Sequence, residues 1–290
     1  HVMMEGRPID LRVSTMPGKF GEKVAIRIID NRNAIVPLDK LGFSPQMLED
    51  WKAVISQPNG VVLVTGPTGS GKSTTLYSVL NMINTEHLNL ATVEERIEAN
   101  LRGINQSQVN ERAGFTFASA LRALLRQDPD IIMVGEVRDE ETALIVTQAA
   151  LTGHLVLSTL HTNDAPSAVT RLINIGIEPY LVAATLRGVL AQRLVRKICP
   201  HCKEPLEVDP VTREMIEMYG GPFNEVFHGR GCSRCRGTGF AGRIGIFELM
   251  IPDEDILAAV SANKTLQEVR VELEQKEFVK LREDGMAKVR

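Results

Sequence analysis

Residues 66 to 74, with the sequence GPTGSGKST, have the residue types and the spacing that bind a polyphosphate. Gly66, Gly71, Lys72 and Ser73 match the P-loop pattern Gly-x-x-x-x-Gly-Lys-Ser, with an apolar run before it and a helical pattern after it. The glycines let backbone N–H groups converge on phosphates at a helix N-terminus, the lysine adds a positive charge, and the serine hydroxyl can bind magnesium. The alternative, a chance glycine-rich turn, does not explain the strand, loop and helix together.

This pattern predicts a site for ATP or ADP, with Mg²⁺ held at Ser73. Lys72 is also a predicted catalytic residue, because it supplies a point charge to the phosphates. The predicted nucleotide-binding residues are Gly66, Pro67, Thr68, Gly69, Ser70, Gly71, Lys72, Ser73 and Thr74.

A second apolar run, IIMV at 131 to 134, is followed by Gly135. Chains with a P-loop usually place a magnesium-binding Asp at this position. Gly135 cannot bind a metal, so the magnesium is expected to rest on Ser73, the phosphates and water. Glu136 is then available to orient or deprotonate the attacking water, at the carboxyl end of a strand that we place beside the P-loop strand. The alternative is an ion pair with Arg138, since a buried strand seldom ends in an unpaired acid.

The segment TVEERIE, residues 92 to 98, places three acids directly after another predicted strand. Glu94, Glu95 and Glu98 would repel a polyphosphate unless magnesium or water lay between them. They therefore indicate either a metal-and-water site or a solvated turn.

Two histidines flank the predicted strand LVLSTL. His161 follows this strand, where a ring N–H can hydrogen-bond the terminal phosphate, although a capping or packing histidine is the alternative. His154 lies about seven residues before His161, and each strand residue spans about 3.3 Å. The two rings therefore cannot share one compact site unless the chain turns between them.

Four cysteines form two Cys-x-x-Cys pairs, Cys199 with Cys202 and Cys232 with Cys235. Four thiolates in this spacing suit tetrahedral zinc, and a site without an open coordination position is structural. A redox pair is the alternative. Six arginines and one lysine surround the cysteines. They could compensate the thiolate charge or bind an acidic partner or anionic lipid. The alternative is a solvated basic face. The basic residues are Arg193, Arg196, Lys197, Arg230, Arg234, Arg236 and Arg243.

The order of the apolar runs predicts an α/β fold. From about residue 45, short apolar runs alternate with helical patterns, which indicates a mainly parallel sheet covered by helices on both faces. One predicted helix, residues 139–153, has Asp139 as its expected N-cap. Residues 196–243 lack periodicity, and the chain is predicted to be helical from residue 244 onward.

The first part of the chain predicts two strands, residues 9–15 and 24–29, joined by a turn rich in glycine. Strand alternation places Arg12 and Arg27 opposite the apolar faces of these strands. Two strands do not make a domain, so we expect them to end an N-terminal α+β domain that begins outside this sequence.

Length and charge limit the class of protein. The chain has 290 residues, which exceeds the roughly 100–200 residues of a usual domain, so two or more compact units are expected. A net charge of −3 argues against a surface built entirely for nucleic acid. No apolar run reaches the about 18 residues that span a bilayer. The opening HVMMEGRPID has neither an initiator Met nor a signal-peptide pattern, so we expect a truncated cytosolic protein.

Together these motifs resemble the secretion ATPase family of type II secretion and type IV pilus assembly, over nearly all of the chain. GPTGSGKSTTLY resembles the family's Walker A segment, and LRQDPDIIMVGEVRDEETA its Walker B segment, in which Glu follows Gly. TVEERIE resembles its Asp box, TGHLVLSTLHTNDA its His box, and DLRVSTMP the end of its second N-terminal domain. The resemblance implies a RecA-like ATPase ring of six subunits, each joined by a flexible linker to a smaller N-terminal domain.

The resemblance also implies roles for seven residues around the nucleotide. They are the Walker B glutamate Glu136, the Asp-box acids Glu94 and Glu98, the His-box residues His154 and His161, and the phosphate-directed arginines Arg12 and Arg27. All of these except His154 are predicted to be catalytic, together with Lys72. One departure from the family pattern lies in the Asp box, where Glu95 replaces Asp and Arg96 replaces Pro.

The resulting prediction is a cytoplasmic motor ATPase attached to the bacterial inner membrane through its partners. It implies a homohexamer, an inner-membrane platform protein and a membrane-anchoring adaptor, and no nucleic acid. A tetracysteine module is typical of the assembly branch of the family. The alternatives are a RecA-like nucleic-acid translocase with a zinc ribbon and a small-molecule kinase with a zinc lid. The predicted units are the N-terminal fragment and linker 1–37, the ATPase core 38–195, the zinc module 196–243 and a truncated helical subdomain 244–290.

Overall fold

A computed structural model describes residues 2–4, 7–29 and 35–289 of the chain. The strands within these residues are β1 Val2–Met4, β2 Arg7–Gly18, β3 Gly21–Ile29, β4 Gly60–Thr65, β5 Leu90–Glu94, β6 Asn105–Gln108, β7 Ile131–Val134, β8 Leu155–Leu160, β9 Leu186–Ile198, β10 Lys203–Leu206, β11 Val226–Gly229 and β12 Phe240–Met250. The α-helices are α1 Pro45–Ile55, α2 Lys72–Ile83, α3 Phe117–Leu124, α4 Glu140–Leu151, α5 Pro166–Ile175, α6 Pro179–Thr185, α7 Pro210–Gly220, α8 Glu254–Ser261, α9 Leu266–Glu274 and α10 Leu281–Ala287.

The main sheet has seven strands in the order β12-β9-β4-β8-β7-β5-β6. All neighbours are parallel except β12, which runs antiparallel to β9 at one edge. The expected α/β fold with a mainly parallel sheet is therefore confirmed. Strands β4, β8, β7 and β5 end at the same edge of this sheet, where ligands of such folds bind.

Side-chain alternation along the buried strands produces a core on each face of the sheet. In β4, Val61 and Leu63 belong to one buried cluster, whereas Val62 and Val64 belong to the other. The second cluster includes the fully buried Trp51 of α1 and residues of α2. Helices α3, α4, α5, α6, α8 and α9 contribute to the first cluster. Both faces of the P-loop strand are thus fixed by packing.

The predicted helix after residue 139 forms as α4. The Asp139 side chain accepts a hydrogen bond from the Thr142 N–H at 2.8 Å, so the expected N-cap is confirmed. Glu140 and Glu141 lie in the first turn, where negative charge favours the positive end of the helix dipole. Gly153, just beyond the end of this helix, has a φ of 111°.

The N-terminal strands are also confirmed, as an antiparallel pair in a three-stranded sheet with the order β1-β2-β3. Leu11 pairs with Ile28 and Val13 with Ile26, so the apolar side chains of the two strands share one face. These four side chains are exposed among the described residues.

Two expectations about the sheet are wrong. Residues 244–250 do not start a helix but complete β12, which pairs with β9; three helices, α8 to α10, follow only after Met250. The short apolar run in this segment fits either structure, and long-range pairing with β9 decides in favour of the strand. The strand that leads to Glu136 does not lie beside the P-loop strand either, because β8 lies between β7 and β4.

The cysteine-rich segment is an excursion between two paired strands of the main sheet. It leaves the end of β9, contains the two-stranded β10–β11 sheet and α7, and returns at the start of β12. Cys199 N–H donates to the Gly239 carbonyl at 2.9 Å, which closes the base of the excursion.

A buried carboxylate connects the C-terminal helices to the segment before α5. Glu248, on β12, accepts a hydrogen bond from the Ala165 N–H at 2.8 Å and another from the Leu281 N–H at 3.1 Å. Its side chain is buried, and this burial raises the pKa of its carboxyl. One side chain therefore satisfies donors from two separate elements.

No helix among the described residues is both long and apolar enough to cross a membrane.

We predict that Glu248→Ala lowers the free energy of unfolding by about 2 kcal/mol, because it leaves two backbone donors without their acceptor. Urea denaturation followed by circular dichroism measures the change. Glu274→Ala is the matched control: Glu274 forms an exposed ion pair with Lys280 at 2.7 Å, and its loss is expected to change stability by less than about 0.5 kcal/mol. Equal effects of the two substitutions would contradict the bridging role of Glu248.

Candidate nucleotide site and cysteine cluster

The P-loop joins the end of β4 to the first residue of α2. Gly71 is the N-cap of this helix and has a φ of 92°, a left-handed conformation that glycine adopts readily. Lys72 Nζ donates to the carbonyl oxygens of Gly66, at 2.9 Å, and Pro67, at 3.2 Å. Burial lowers the pKa of Lys72, while the nearby charge of Glu136 opposes this shift and that of Arg193 adds to it.

A cavity of about 620 Å³ opens beside this loop, at the carboxyl edge of the parallel strands. It brings together most of the residues predicted to act on the nucleotide. The predicted residues that line it are Thr68, Gly69, Gly71, Lys72, Ser73, Thr74, Glu94, Glu98, Glu136 and His161. Its size fits the 300–1,000 Å³ range of small-molecule sites.

Glu136 lies at the centre of a row of charged side chains. Its carboxylate accepts a hydrogen bond from Arg138 Nε at 2.7 Å, and its other oxygen lies 3.2 Å from His161 Nε2. The side chain is 17% exposed, compared with 52% for Arg138. Arg138 also donates to Glu95 at 2.8 Å. The ion pair weighed as an alternative is therefore present, in the same carboxylate that faces the cavity.

The neighbouring strand β5 comes close to Gly135. A Cβ at this position would lie 3.3 Å from the Cα of Glu94. The Gly135 N–H donates to the Val93 carbonyl at 2.8 Å, and its own carbonyl accepts from Thr159 Oγ1 at 2.7 Å. A side chain at position 135 would therefore pack tightly against β5, and the carboxylate at the end of this strand comes from the next residue, Glu136.

The three acids at the end of β5 and directly after it differ in their surroundings. Glu94 is buried, and one of its oxygens accepts from Thr92 Oγ1 at 2.6 Å and Gln106 Nε2 at 3.2 Å. The other oxygen accepts from the Tyr77 hydroxyl, which itself accepts from the Glu98 N–H at 3.0 Å. Burial, reinforced by Glu94, raises the pKa of Tyr77.

Glu94 is therefore buried and hydrogen-bonded to protein donors. It nevertheless lines the cavity, together with Glu95 and Glu98. Its catalytic role and that of Glu98 stay predictions. Tyr77 of the P-loop helix contacts the carboxylate of Glu94 and the backbone N–H of Glu98, a connection that the local sequence pattern did not indicate.

The two histidines lie at opposite ends of β8, as the strand length predicted. His161 lines the cavity, where its Nδ1 lies 3.5 Å from Lys72 Nζ. Because the Lys72 ammonium can only donate, we assign His161 Nδ1 as the acceptor, which leaves the Nε2 hydrogen for Glu136. His154 instead has its Nδ1 2.9 Å from the Ala149 carbonyl, at the end of α4, and is not brought to the cavity.

The two N-terminal arginines face each other in the sheet register, since Arg12 of β2 pairs with Arg27 of β3. Their side chains lie outside the described part of the structure. Their predicted role at the phosphates stays a prediction.

The four cysteines form one compact cluster. All four sulfur atoms lie within 4.8 Å of one another, with separations of 3.9 Å for Cys199 to Cys232, 3.9 Å for Cys202 to Cys235 and 3.7 Å for Cys232 to Cys235. A tetrahedron of sulfurs about 2.3 Å from a central zinc has edges of about 3.8 Å.

Backbone donors stabilise negative charge on this cluster. The N–H groups of Cys232 and Gly239 donate to Cys235 Sγ at 3.1 and 3.3 Å, and the Cys232 donor in particular lowers the pKa of Cys235 to about 6. The Gly231 N–H donates to Cys202 Sγ at 3.3 Å, but burial outweighs this bond and raises the pKa of Cys202. The donor set and its spacing fit a structural zinc ion.

The basic residues around the module do not form one uniform face. The guanidinium of Arg196 lies 4.0 Å from the centre of the Phe240 ring, and Arg234 lies 3.1 Å from His201. Arg193 donates to Asn163, and Arg243 lines the nucleotide cavity.

Several cavity residues were not predicted from the sequence. They are Leu76, Tyr77, Met133, Thr159, Leu194 and Arg243. The last two come from β9 and β12, far along the chain from the P-loop, and only the sheet pairing brings them there.

The whole chain matches one protein family. The model of the type II/IV secretion system protein family aligns with residues 1–290. Among curated relatives, the chain is 50% identical over 282 residues to a type IV pilus assembly ATPase of Thermus thermophilus. It is 47% identical over 285 residues to a type II secretion system ATPase of Vibrio cholerae. These alignments cover 97% and 98% of this chain but 32% and 56% of the two relatives, so it spans about a third to a little over half of their length.

Solved structures give the same fold. The pilus retraction motor PilT with bound ADP aligns with a TM-score of 0.65 and 29% identity, over 96% of this chain and 73% of that one. The ATPase DotB of Legionella pneumophila aligns with a TM-score of 0.67 and 23% identity, over 96% and 68% of the two chains. The full-length match to the family model and the close relatives show that this chain belongs to the type II/IV secretion system protein family.

Proposed function

We propose that this chain is the motor part of a cytoplasmic ATPase that powers assembly of a type IV pilus or a type II secretion pseudopilus. The observation that carries the proposal is the cavity in which the P-loop faces Glu136 and His161. Relatives at 50% and 47% identity are a pilus assembly ATPase and a type II secretion ATPase. The related PilT structure holds ADP, which supports a nucleotide as the occupant of this cavity.

The P-loop would hold the phosphates of ATP through its backbone N–H groups and Lys72. In the present structure the Lys72 ammonium is bonded to the carbonyls of Gly66 and Pro67. Binding of ATP would exchange these carbonyls for phosphate oxygens. Mg²⁺, held by the Ser73 hydroxyl and water, would neutralise phosphate charge, since Gly135 offers no carboxylate.

Glu136 would orient or deprotonate the attacking water. Arg138 holds the Glu136 carboxylate in place through their ion pair, while His161 lies between Glu136 and Lys72. His161 is thus placed to contact both the water site and the terminal phosphate. Glu94 and Glu98 would add acidic side chains to the lining of the cavity, and Tyr77 of the P-loop helix is hydrogen-bonded to both residues.

We further propose that the working form is a homohexamer. Arg12 and Arg27 of the N-terminal domain would supply guanidinium groups to the charge that develops on the phosphates. The motor would act on an inner-membrane platform protein and be held at the membrane by an adaptor, with no nucleic acid as its load. The division into units 1–37, 38–195, 196–243 and 244–290 stays a proposal, with its last two boundaries inside strands β9 and β12.

The cysteine cluster would hold one structural zinc ion. Sulfur separations of 3.7 to 3.9 Å and backbone N–H donors to the thiolates support it. With four protein ligands and no open position, the metal would stabilise the excursion between β9 and β12 instead of taking part in hydrolysis.

We predict that Glu136→Gln lowers ATP turnover at least about 100-fold, because the amide can neither accept the proton of the water nor form the ion pair with Arg138. ADP affinity should stay within about threefold of the parent value, since the P-loop is unchanged. A coupled assay of ATP hydrolysis and calorimetric titration with ADP measure the two quantities. Glu141→Gln, an exposed acid paired with Arg122, is the control. Parent-like turnover of Glu136→Gln would refute its catalytic role.

We predict one zinc ion per chain by elemental analysis. Cys202→Ser should lower this content and the thermal stability, because a hydroxyl is a poor zinc ligand in such a site. Ser233→Ala, an exposed change between Cys232 and Cys235, should leave both unchanged. Purified protein without metal, or equal zinc in both variants, would exclude the zinc proposal.

The load of the motor is tested by stimulation of ATP hydrolysis. We expect the cytoplasmic domain of the cognate inner-membrane platform protein to raise turnover several-fold, and single-stranded or double-stranded DNA to leave it unchanged. The Glu136→Gln variant shows which part of the signal comes from this chain. Stimulation by DNA alone, weakening steeply with salt, would replace the secretion motor by a nucleic-acid translocase.

A further inference from the structure

A single buried side chain from β9 lies directly beneath the P-loop. Gln192 follows Ala191, which pairs with Thr65 at the end of the P-loop strand, and it is only 2% exposed. It does not line the nucleotide cavity, and no motif in the sequence drew attention to it. A buried amide needs partners for both of its ends.

Both ends of this amide are bonded to the P-loop and its helix. Gln192 Nε2 donates to the Ser70 carbonyl at 2.7 Å, and Gln192 Oε1 accepts from Thr75 Oγ1 at 2.7 Å. The reverse orientation of the amide would place two oxygens in contact at Ser70, so these contacts define the orientation. Gln192 thus connects β9 to the loop and to the first turn of α2.

The bond to Ser70 fixes the direction of one peptide group. In a trans peptide the carbonyl and the following N–H point in opposite directions. With the Ser70 carbonyl held toward β9, the Gly71 N–H points away from Gln192. Gly71 lines the cavity and is the N-cap of α2, where such an N–H group is available to a phosphate.

At both glycines that define the P-loop pattern, a side chain would collide with Gln192. A Cβ on Gly71 would lie 2.7 Å from Gln192 Nε2, and a Cβ on Gly66 would lie 2.4 Å from the Gln192 carbonyl oxygen. Each distance is too short for real atoms. The loop therefore folds around Gln192, with its side chain at one end and its backbone at the other.

We propose that Gln192 is a positioning residue for phosphate binding, which holds the Ser70–Gly71 peptide so that its N–H faces the nucleotide. This inference rests on the proposed nucleotide site and adds a residue to it from a strand outside the P-loop. It predicts that the loop can keep its sequence and still bind phosphates poorly once this amide is removed.

The test is ADP affinity, measured by calorimetry on folded protein at one temperature. Gln192→Met keeps the length of the side chain and removes both hydrogen bonds, and it should weaken ADP binding about tenfold. Gln192→Leu also removes both hydrogen bonds and adds no charge near the phosphates; it should likewise weaken binding and serves if the Met variant does not fold. Hydrogen exchange of the peptide containing residues 66–76, without ligand, should be faster in both variants.

A control separates positioning from general stability. Thr185→Val removes a buried hydrogen bond of 2.7 Å to the Leu181 carbonyl, directly before β9 but away from the P-loop. It should lower the melting temperature and leave ADP affinity within about twofold. ADP affinity in Gln192→Met equal to that in Thr185→Val, at comparable loss of stability, would overturn the inference.

The failure of the proposed site is distinguishable from the failure of this inference. Lys72→Ala should abolish most ADP binding in any case. If the parent chain binds ADP, Lys72→Ala does not and Gln192→Met binds normally, only the role of Gln192 is wrong. If the parent chain does not bind ADP, the nucleotide site and the inference fall together.

Discussion

The parallel alignment of the central strands is the constraint on which the rest of the molecule depends. It brings the ends of β4, β5, β7 and β8 to one edge, although their residues come from four separate parts of the chain. Backbone pairing and burial on both faces leave these strands little freedom to slide, because a one-residue shift would reverse every buried side chain. The polar residues that follow each strand are thereby held at fixed distances, and the cavity exists only because of this register.

Charge at this edge is arranged as a connected row, from Lys72 through His161 and Glu136 to Arg138 and Glu95. The individual pairs are not equivalent. Arg138 and Glu95 have side chains that are 52% and 63% exposed, and such a surface pair contributes little to stability. Glu136 is much less exposed, so its bond to Arg138 matters more. Arg138 bonds both carboxylates at once, Glu136 through Nε and Glu95 through Nη2, so the residue that departs from the Asp-box pattern is connected to Glu136 through Arg138.

Local signals predicted the parts of the structure that short segments determine. Three such features are the P-loop, the N-cap at Asp139 and the two Cys-x-x-Cys pairs. Each depends on residues within a few positions of one another, and each is present in the structure. Strand order is different. Nothing in the apolar run of β7 tells whether it pairs with β4 or with β8, since both are equally apolar and equally parallel.

The errors and omissions have the same origin. The run after residue 244 became a strand because β9 offers it an edge, and β6 pairs with β5 although its sequence, NQSQ, has no apolar residue. Tyr77 and Gln192 read as ordinary helix and strand residues, yet each satisfies a buried group far away in the sequence. Sequence motifs identified many of the residues that line the cavity, whereas the side chains that hold those residues in place depend on long-range packing.

The paired strands β9 and β12 connect the P-loop to the cysteine cluster. Gln192 pairs with Phe247 near the P-loop end of the two strands, and Phe240 pairs with Ile198 at the other end, beside Cys199. The hydrogen bond from Cys199 to Gly239 and the cysteine cluster close that far end. Four thiolates tied to one ion would prevent the strands from separating there, and antiparallel pairing extends this restraint along the ribbon. Zinc at the cysteines would therefore anchor the far end of β9, the strand whose Gln192 is hydrogen-bonded to the P-loop.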